Sequence, residues 1–104
     1  MTSSNSFNQS EITQQFQALR QQFHQGLPLR LDSLKQAHDP EVRHTLLHSL
    51  SGAAGLYGDA ELCSLTQKAI HSLLQNQINS YEEMVTEISL NIEKIVQAYV
   101  INIS

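Results

Sequence analysis

The stretch from Ser80 to Tyr99, SYEEMVTEISLNIEKIVQAY, sets Tyr81, Val85, Ile88, Ile92, Ile95 and Tyr99 at alternating steps of four and three. Each helical residue advances about 100° around the axis, so this spacing gathers all six on one face. Ser80 and Glu83 have capping-box spacing, and the acidic pair Glu82-Glu83 complements the positive end of a helix dipole. The segment predicts a long amphipathic helix that needs other helices to cover its apolar face. Val100 to Ile103 are rich in β-branched residues, but a lone terminal strand would have nothing to pair with.

Working back along the chain, the same periodicity recurs. Leu62, Leu65, Ala69 and Leu73 share one face of a helix that fades at Gln75-Asn76-Gln77. Asp59 is a candidate cap for it, and Gly58 ends the helix before. That preceding helix runs from about Glu41 to Leu56. Asp39 can cap its start and Pro40 can occupy its first position. Pro28 similarly opens a short helix with Leu31, Leu34 and Ala37 as its apolar positions. Ile12, Phe16, Leu19 and Phe23 mark a first amphipathic helix that ends near Gly26.

The polar, Ser/Asn-rich residues 1–9 read as a disordered tail, and residues 10–104 as one helical domain. Short connections favour antiparallel neighbours. The expected fold is all-α: an up-and-down antiparallel four-helix bundle with a short additional helix near the N-terminus.

Composition narrows the function. The chain has 104 residues, enough for one domain, and a formal net charge of −4 with no basic cluster. Phosphate backbones and anionic membranes are bound by clustered Lys and Arg, so neither nucleic acid nor a membrane surface is an expected partner. Cys63 is the single cysteine, which rules out an internal disulfide or a cysteine-rich zinc site. No apolar run approaches the ~20 residues of a membrane helix, and the first residues lack signal-peptide character. A cytoplasmic monomer is the expectation.

The third helix presents an outward histidine, which periodicity alone reads equally as an ordinary surface side chain. Val42, Leu46, Leu50, Ala53 and Tyr57 cluster on one side and form its predicted core stripe. Glu41, His44, Thr45, His48, Ser51, Gly52 and Gly55 collect on the other, with His48 in the middle, pointing outward. A glycine inside a helix costs about 1 kcal/mol relative to alanine. Gly52 and Gly55 lie one and two turns beyond His48, where they clear bulk from around an exposed imidazole.

The run His48-Ser49-Leu50-Ser51-Gly52-Ala53-Ala54-Gly55-Leu56-Tyr57-Gly58 resembles the signature of histidine-phosphotransfer (HPt) domains: His, any residue, Leu, usually Lys, Gly, a small apolar stretch and a closing Gly. Leu62 and Leu65 match the leucines that follow. Gly26-Leu27-Pro28-Leu29-Arg30-Leu31 is similar to a segment common in one branch of the family. The resemblance spans the chain from about residue 10 to its end. It implies that His48 accepts a phosphoryl group at Nε2 from a receiver-domain aspartate and passes it to another receiver. Ser51, Gly52 and Gly55 would support the site. His44, Thr45, Ser51, Gly52 and Gly55 would form the docking surface. The chain would need no cofactor of its own, because the acidic pocket and Mg²⁺ would belong to the receiver. It would be a phosphocarrier rather than an enzyme in its own right.

Two positions depart from the family. Ser51 stands where lysine is usual, and Ile70 stands where Glu or Gln often faces the histidine. Lys68, near the expected level of His48, is a candidate substitute for the missing charge. A rival reading is a helical adaptor that binds a receiver or kinase without phosphotransfer. His44 and His48 are also spaced to bridge a metal, with His71 a conceivable third ligand, but no third ligand is near in sequence and none is expected. His24 and His38 read as surface or capping residues.

Overall fold

In a computed structural model, residues 9–103 are described, with side chains through Tyr99. They form five helices: α1 (Gln9–Gln25), α2 (Leu27–Gln36), α3 (Pro40–Leu56), α4 (Ala60–Leu74) and α5 (Ile78–Ile103). The described residues contain no strand, and the β-branched end of α5 continues as helix to Ile103. The polar segment read as a tail lies outside the described residues, apart from Gln9, which already belongs to α1.

Local chemistry sets the helix ends. Asp39 caps α3, its carboxylate accepting from the Glu41 amide at 2.7 Å, with Pro40 at the first position. α3 closes in a left-handed turn at Gly58, φ +80°. There the Asp59 amide donates to the Ala54 carbonyl and the Gly58 amide to the Gly55 carbonyl. α4 closes the same way at Asn76, φ +56°, with Gln77 bonded to Ser72 and Asn76 to Leu73. α5 begins two residues before the predicted cap, so Ser80 lies in its first turn. The α1–α2 break falls at Gly26 because Pro28 has no amide to donate, and its ring would strike the carbonyl one turn earlier.

These turns make α3–α4 and α4–α5 antiparallel hairpins, with α4 packed between α3 and α5. The remaining place in the bundle is shared. The end of α1 and then α2 run down α3 in the opposite direction, as Arg20 to Tyr57, Arg30 to Ser49 and Arg43 to Ala37 record in turn. The core is built from Phe23, Leu27, Leu34, Leu47, Leu50, Ala54, Leu62, Ala69, Tyr81, Ile88 and Ile92. The predicted faces of α4 and α5 are the buried ones.

α1 and α3 differ from expectation. Only Phe23 of the predicted α1 stripe is buried; Ile12 and Leu19 are exposed, and Phe16 is 38% exposed with its ring 5.4 Å from that of Tyr57. On α3 the buried residues are Leu47, Leu50, Ser51 and Ala54, while Val42 is 48% exposed. The core face is thus rotated roughly 90° from the predicted stripe. α3 carries apolar residues over a broad arc, and α4 packs on the edge where Ser51, Ala54 and Gly55 are small enough to admit it.

Candidate functional site

His48 is exposed on α3, between buried Leu47 and Leu50, which fix the helix beneath it. A Cβ added at Gly52 would meet nothing within 4 Å, so the surface one turn beyond His48 is open. His44, one turn before, is half-buried, and its ring lies within 10° of parallel to that of His48 with centroids 6.1 Å apart. Thr45 is exposed, but its hydroxyl donates to the Glu41 carbonyl at 3.0 Å. Among the described residues, no hydrogen bond or ion pair reaches the His48 imidazole. A groove of about 440 Å³, lined by Pro40, Glu41, His44, Thr45, Leu73 and Leu74, opens beside the N-terminal half of α3.

Ser51 does not belong to this surface. It is 8% exposed, with its hydroxyl oxygen 3.7 Å from Cys63 Sγ in the α3–α4 seam. The expectation that it supports His48 or meets a partner is corrected: on this helix the outward arc ends between His48 and Ser51, 60° apart. Gly55 is exposed yet borders the same seam, since a Cβ there would stand 3.6 Å from Cys63 Sγ. Gly55 therefore admits α4, whereas Gly52 leaves open space.

α4 runs antiparallel to α3 through this seam. Cys63 meets Ser51 and Gly55 at one level, and Leu74 joins His44 in the groove at another. Gln67 and Ile70 therefore stand at the level of His48. Gln67 directs its amide toward Cys63 Sγ at 3.6 Å, and Ile70 packs against the core. Lys68 and His71 line a different groove, between α4 and α5, with Ser64, Gln67, Ser72, Ser80, Glu83 and Met84. Lys68 is thus no substitute charge for the His48 face. His71 is no third ligand to the His44–His48 pair. Among the described residues no three His, Cys, Asp or Glu side chains are grouped to hold a metal ion.

Two features escaped the sequence reading. Arg30 of α2 donates from Nη1 to the Ser49 hydroxyl at 3.3 Å, while its guanidinium lies 5.5 Å from the centre of the Phe23 ring. A cation from another helix is therefore docked one residue from His48. The second is His24, which is 3% exposed rather than a surface residue. Its Nε2 is 2.8 Å from Asp59 Oδ2, and its Nδ1 is 2.7 Å from the Tyr99 hydroxyl. Arg20 adds Nε to the Tyr57 carbonyl at 2.9 Å and Nη2 to Asp59 Oδ1 at 3.5 Å. Asp59 makes no side-chain cap to α4, because its carboxylate is turned to these cross-helix donors. The His-Arg-Asp spacing across 35 residues and more leaves no local sequence signal.

Among the described residues, no helix is long and apolar enough to cross a membrane. No family model matches the chain, and no curated protein or solved structure does either.

Proposed function

We propose that the chain is a histidine-phosphotransfer module that accepts a phosphoryl group on His48 and passes it between receiver domains in the cytoplasm. The observation that carries this reading is the pairing of an outward imidazole, on a helix anchored by Leu47 and Leu50, with open space at Gly52 one turn away. In the reaction, the lone pair of neutral His48 Nε2 attacks the phosphorus of a receiver aspartyl phosphate. The carboxylate leaves with the electrons of the P–O bond, and the Nδ1 proton is released to water. An imidazole is suited to both halves of the exchange because its neutral form is available near pH 7. The receiver supplies the acidic pocket and Mg²⁺. The docking surface is His44, Thr45, Gly52 and the exposed edge of Gly55.

The test is incubation with a panel of phosphorylated receivers, comparing wild type with His48→Gln. Acid-labile, base-stable label on the wild type alone supports the proposal. Label that persists in His48→Gln moves the acceptor elsewhere, with His44 the first suspect.

A second reading, a helical adaptor that binds a receiver without phosphotransfer, is favoured by one observation. Ile70, at the level of His48, has no polar side-chain atom to orient the ring, and Gln67 at the same level turns its amide toward Cys63 Sγ instead. Receiver binding without any label in that panel would establish it.

A further inference from the structure

A phosphoryl group on an imidazole brings close to two negative charges and three acceptor oxygens onto the protein surface. On a chain of net charge −4 it needs a cationic donor within reach. The chain has six Lys and Arg residues. Arg20 is engaged with Asp59 and the Tyr57 carbonyl. Arg43 donates to the Ala37 carbonyl and lies over the Tyr81 ring. Lys68 lines the α4–α5 groove. Lys94 is on α5, which packs on α4 and α2. Lys35 stands five residues from Arg30, roughly 140° around α2. Arg30 alone is docked from another helix onto the exposed surface of α3, at Ser49, the residue next to His48 and about 100° around the helix from it.

The geometry points to a phosphoryl subsite between α2 and α3, in which Arg30 binds the oxygens of the group carried on His48. This inference rests on the phosphotransfer reading. Arg30 is exposed, so its guanidinium is free to turn, and from Ser49 it has to swing about 100° around α3 to meet the group on His48. Exchanging one neutral hydroxyl for anionic oxygens strengthens its hydrogen bonds, and a planar guanidinium engages two such oxygens at once. Phe23, buried beneath it, limits how far the side chain strays. Ser49 holds the cation in readiness before the phosphoryl group arrives.

The experiment uses phosphoramidate, a small anionic donor that needs no receiver. His48 Nε2 forms the new N–P bond, the donor's P–N bond breaks, ammonia leaves, and the Nδ1 proton goes to water. Initial labelling rates are measured on wild type, Arg30→Gln, Arg30→Lys and Ser49→Ala at low and high salt. Circular dichroism checks that each remains folded. Arg30→Gln is expected to slow labelling two- to five-fold at low salt, with the difference shrinking at high salt. Arg30→Lys should recover part of the loss, and Ser49→Ala should label at least as fast as wild type. Equal rates for wild type and Arg30→Gln overturn the subsite while leaving the phosphotransfer reading intact. A loss that ignores salt, or one shared fully by Arg30→Lys, makes the role one of packing on Phe23 and also overturns it. Absence of label on folded wild type, under conditions that label free imidazole, sinks the phosphotransfer reading and the subsite with it.

Discussion

His24 Nε2 faces Asp59 Oδ2 at 2.8 Å across 35 residues, with both side chains almost wholly buried. A carboxylate oxygen only accepts, so Nε2 is the donating nitrogen and Nδ1 is left to the Tyr99 hydroxyl. With Arg20 on the other carboxylate oxygen, one aspartate in the α3–α4 turn fastens the end of α1 and, through Tyr99, the end of α5.

Asp59→Ala should therefore lower the unfolding free energy by about 1–3 kcal/mol, because it strands a buried imidazole N–H. Urea denaturation measures this. A loss within about 0.5 kcal/mol, the range of ordinary surface changes, would show that the cluster does not hold the turn.

Tyr81 offers an alkaline test. Its ring is buried and its hydroxyl has no hydrogen-bond partner. Burial raises its pKa above the usual value near 10, and the nearby Arg43 charge opposes this only in part. The unfolded chain therefore gives up this proton first. The contribution is intact below pH 10 and is lost as pH rises from there through the folded-state value. Tyr81→Phe should flatten that alkaline decline and leave stability at neutral pH unchanged or slightly higher, since no hydrogen bond is removed. Thermal melts from pH 8 to 11 check this; a decline as steep as that of wild type assigns it to other groups.

Gly52 separates stability from access. Nothing stands within 4 Å of a Cβ there, so Gly52→Gln should gain about 0.5 kcal/mol or more from helix propensity. The longer side chain crowds the space beside His48 and should slow transfer from a receiver. A melt and a transfer rate on the same sample decide it, and unchanged transfer means the opening is not used.

Ser51→Lys gives the opposite result from a surface change. The side chain would enter the α3–α4 seam beside Cys63, where overpacking typically costs about 1–3 kcal/mol. The expected outcome is a lowered melting temperature, with no benefit to the phosphoryl equilibrium from a cation at this position. An unaltered melt would mean that the lysine escapes to solvent along the seam.

The two hairpins were legible because their signals are local: the four-three spacing of Tyr81 to Tyr99, the Asp39–Pro40 start and the Gly58 stop. His48 was legible as an outward residue for the same reason. The face of α3 was not. Periodicity weighs Ser51 as polar and Val42 as apolar, but the packed face follows size as much as polarity, and α4 settles where Ser51, Ala54 and Gly55 make room. Arg30 and the His24–Asp59 pair were invisible because each partner lies on another helix. Ile12 and Leu19 carry a core-like pattern that the bundle does not cover.

The two left-handed turns also bear on the order in which the chain folds. α3, α4 and α5 pair with their immediate neighbours in sequence, so their contacts close short loops. The His24 bonds to Asp59 and Tyr99 span 35 and 75 residues. Loop closure costs more entropy as the span grows, and local contacts form faster. The α3–α4–α5 unit is therefore expected to form early, with the end of α1 docking onto it later. In native-state hydrogen exchange, amides in the first half of α1 should open at free energies far below those around Leu47 and Leu50. The helix bearing His48 would then keep its shape through openings that release α1.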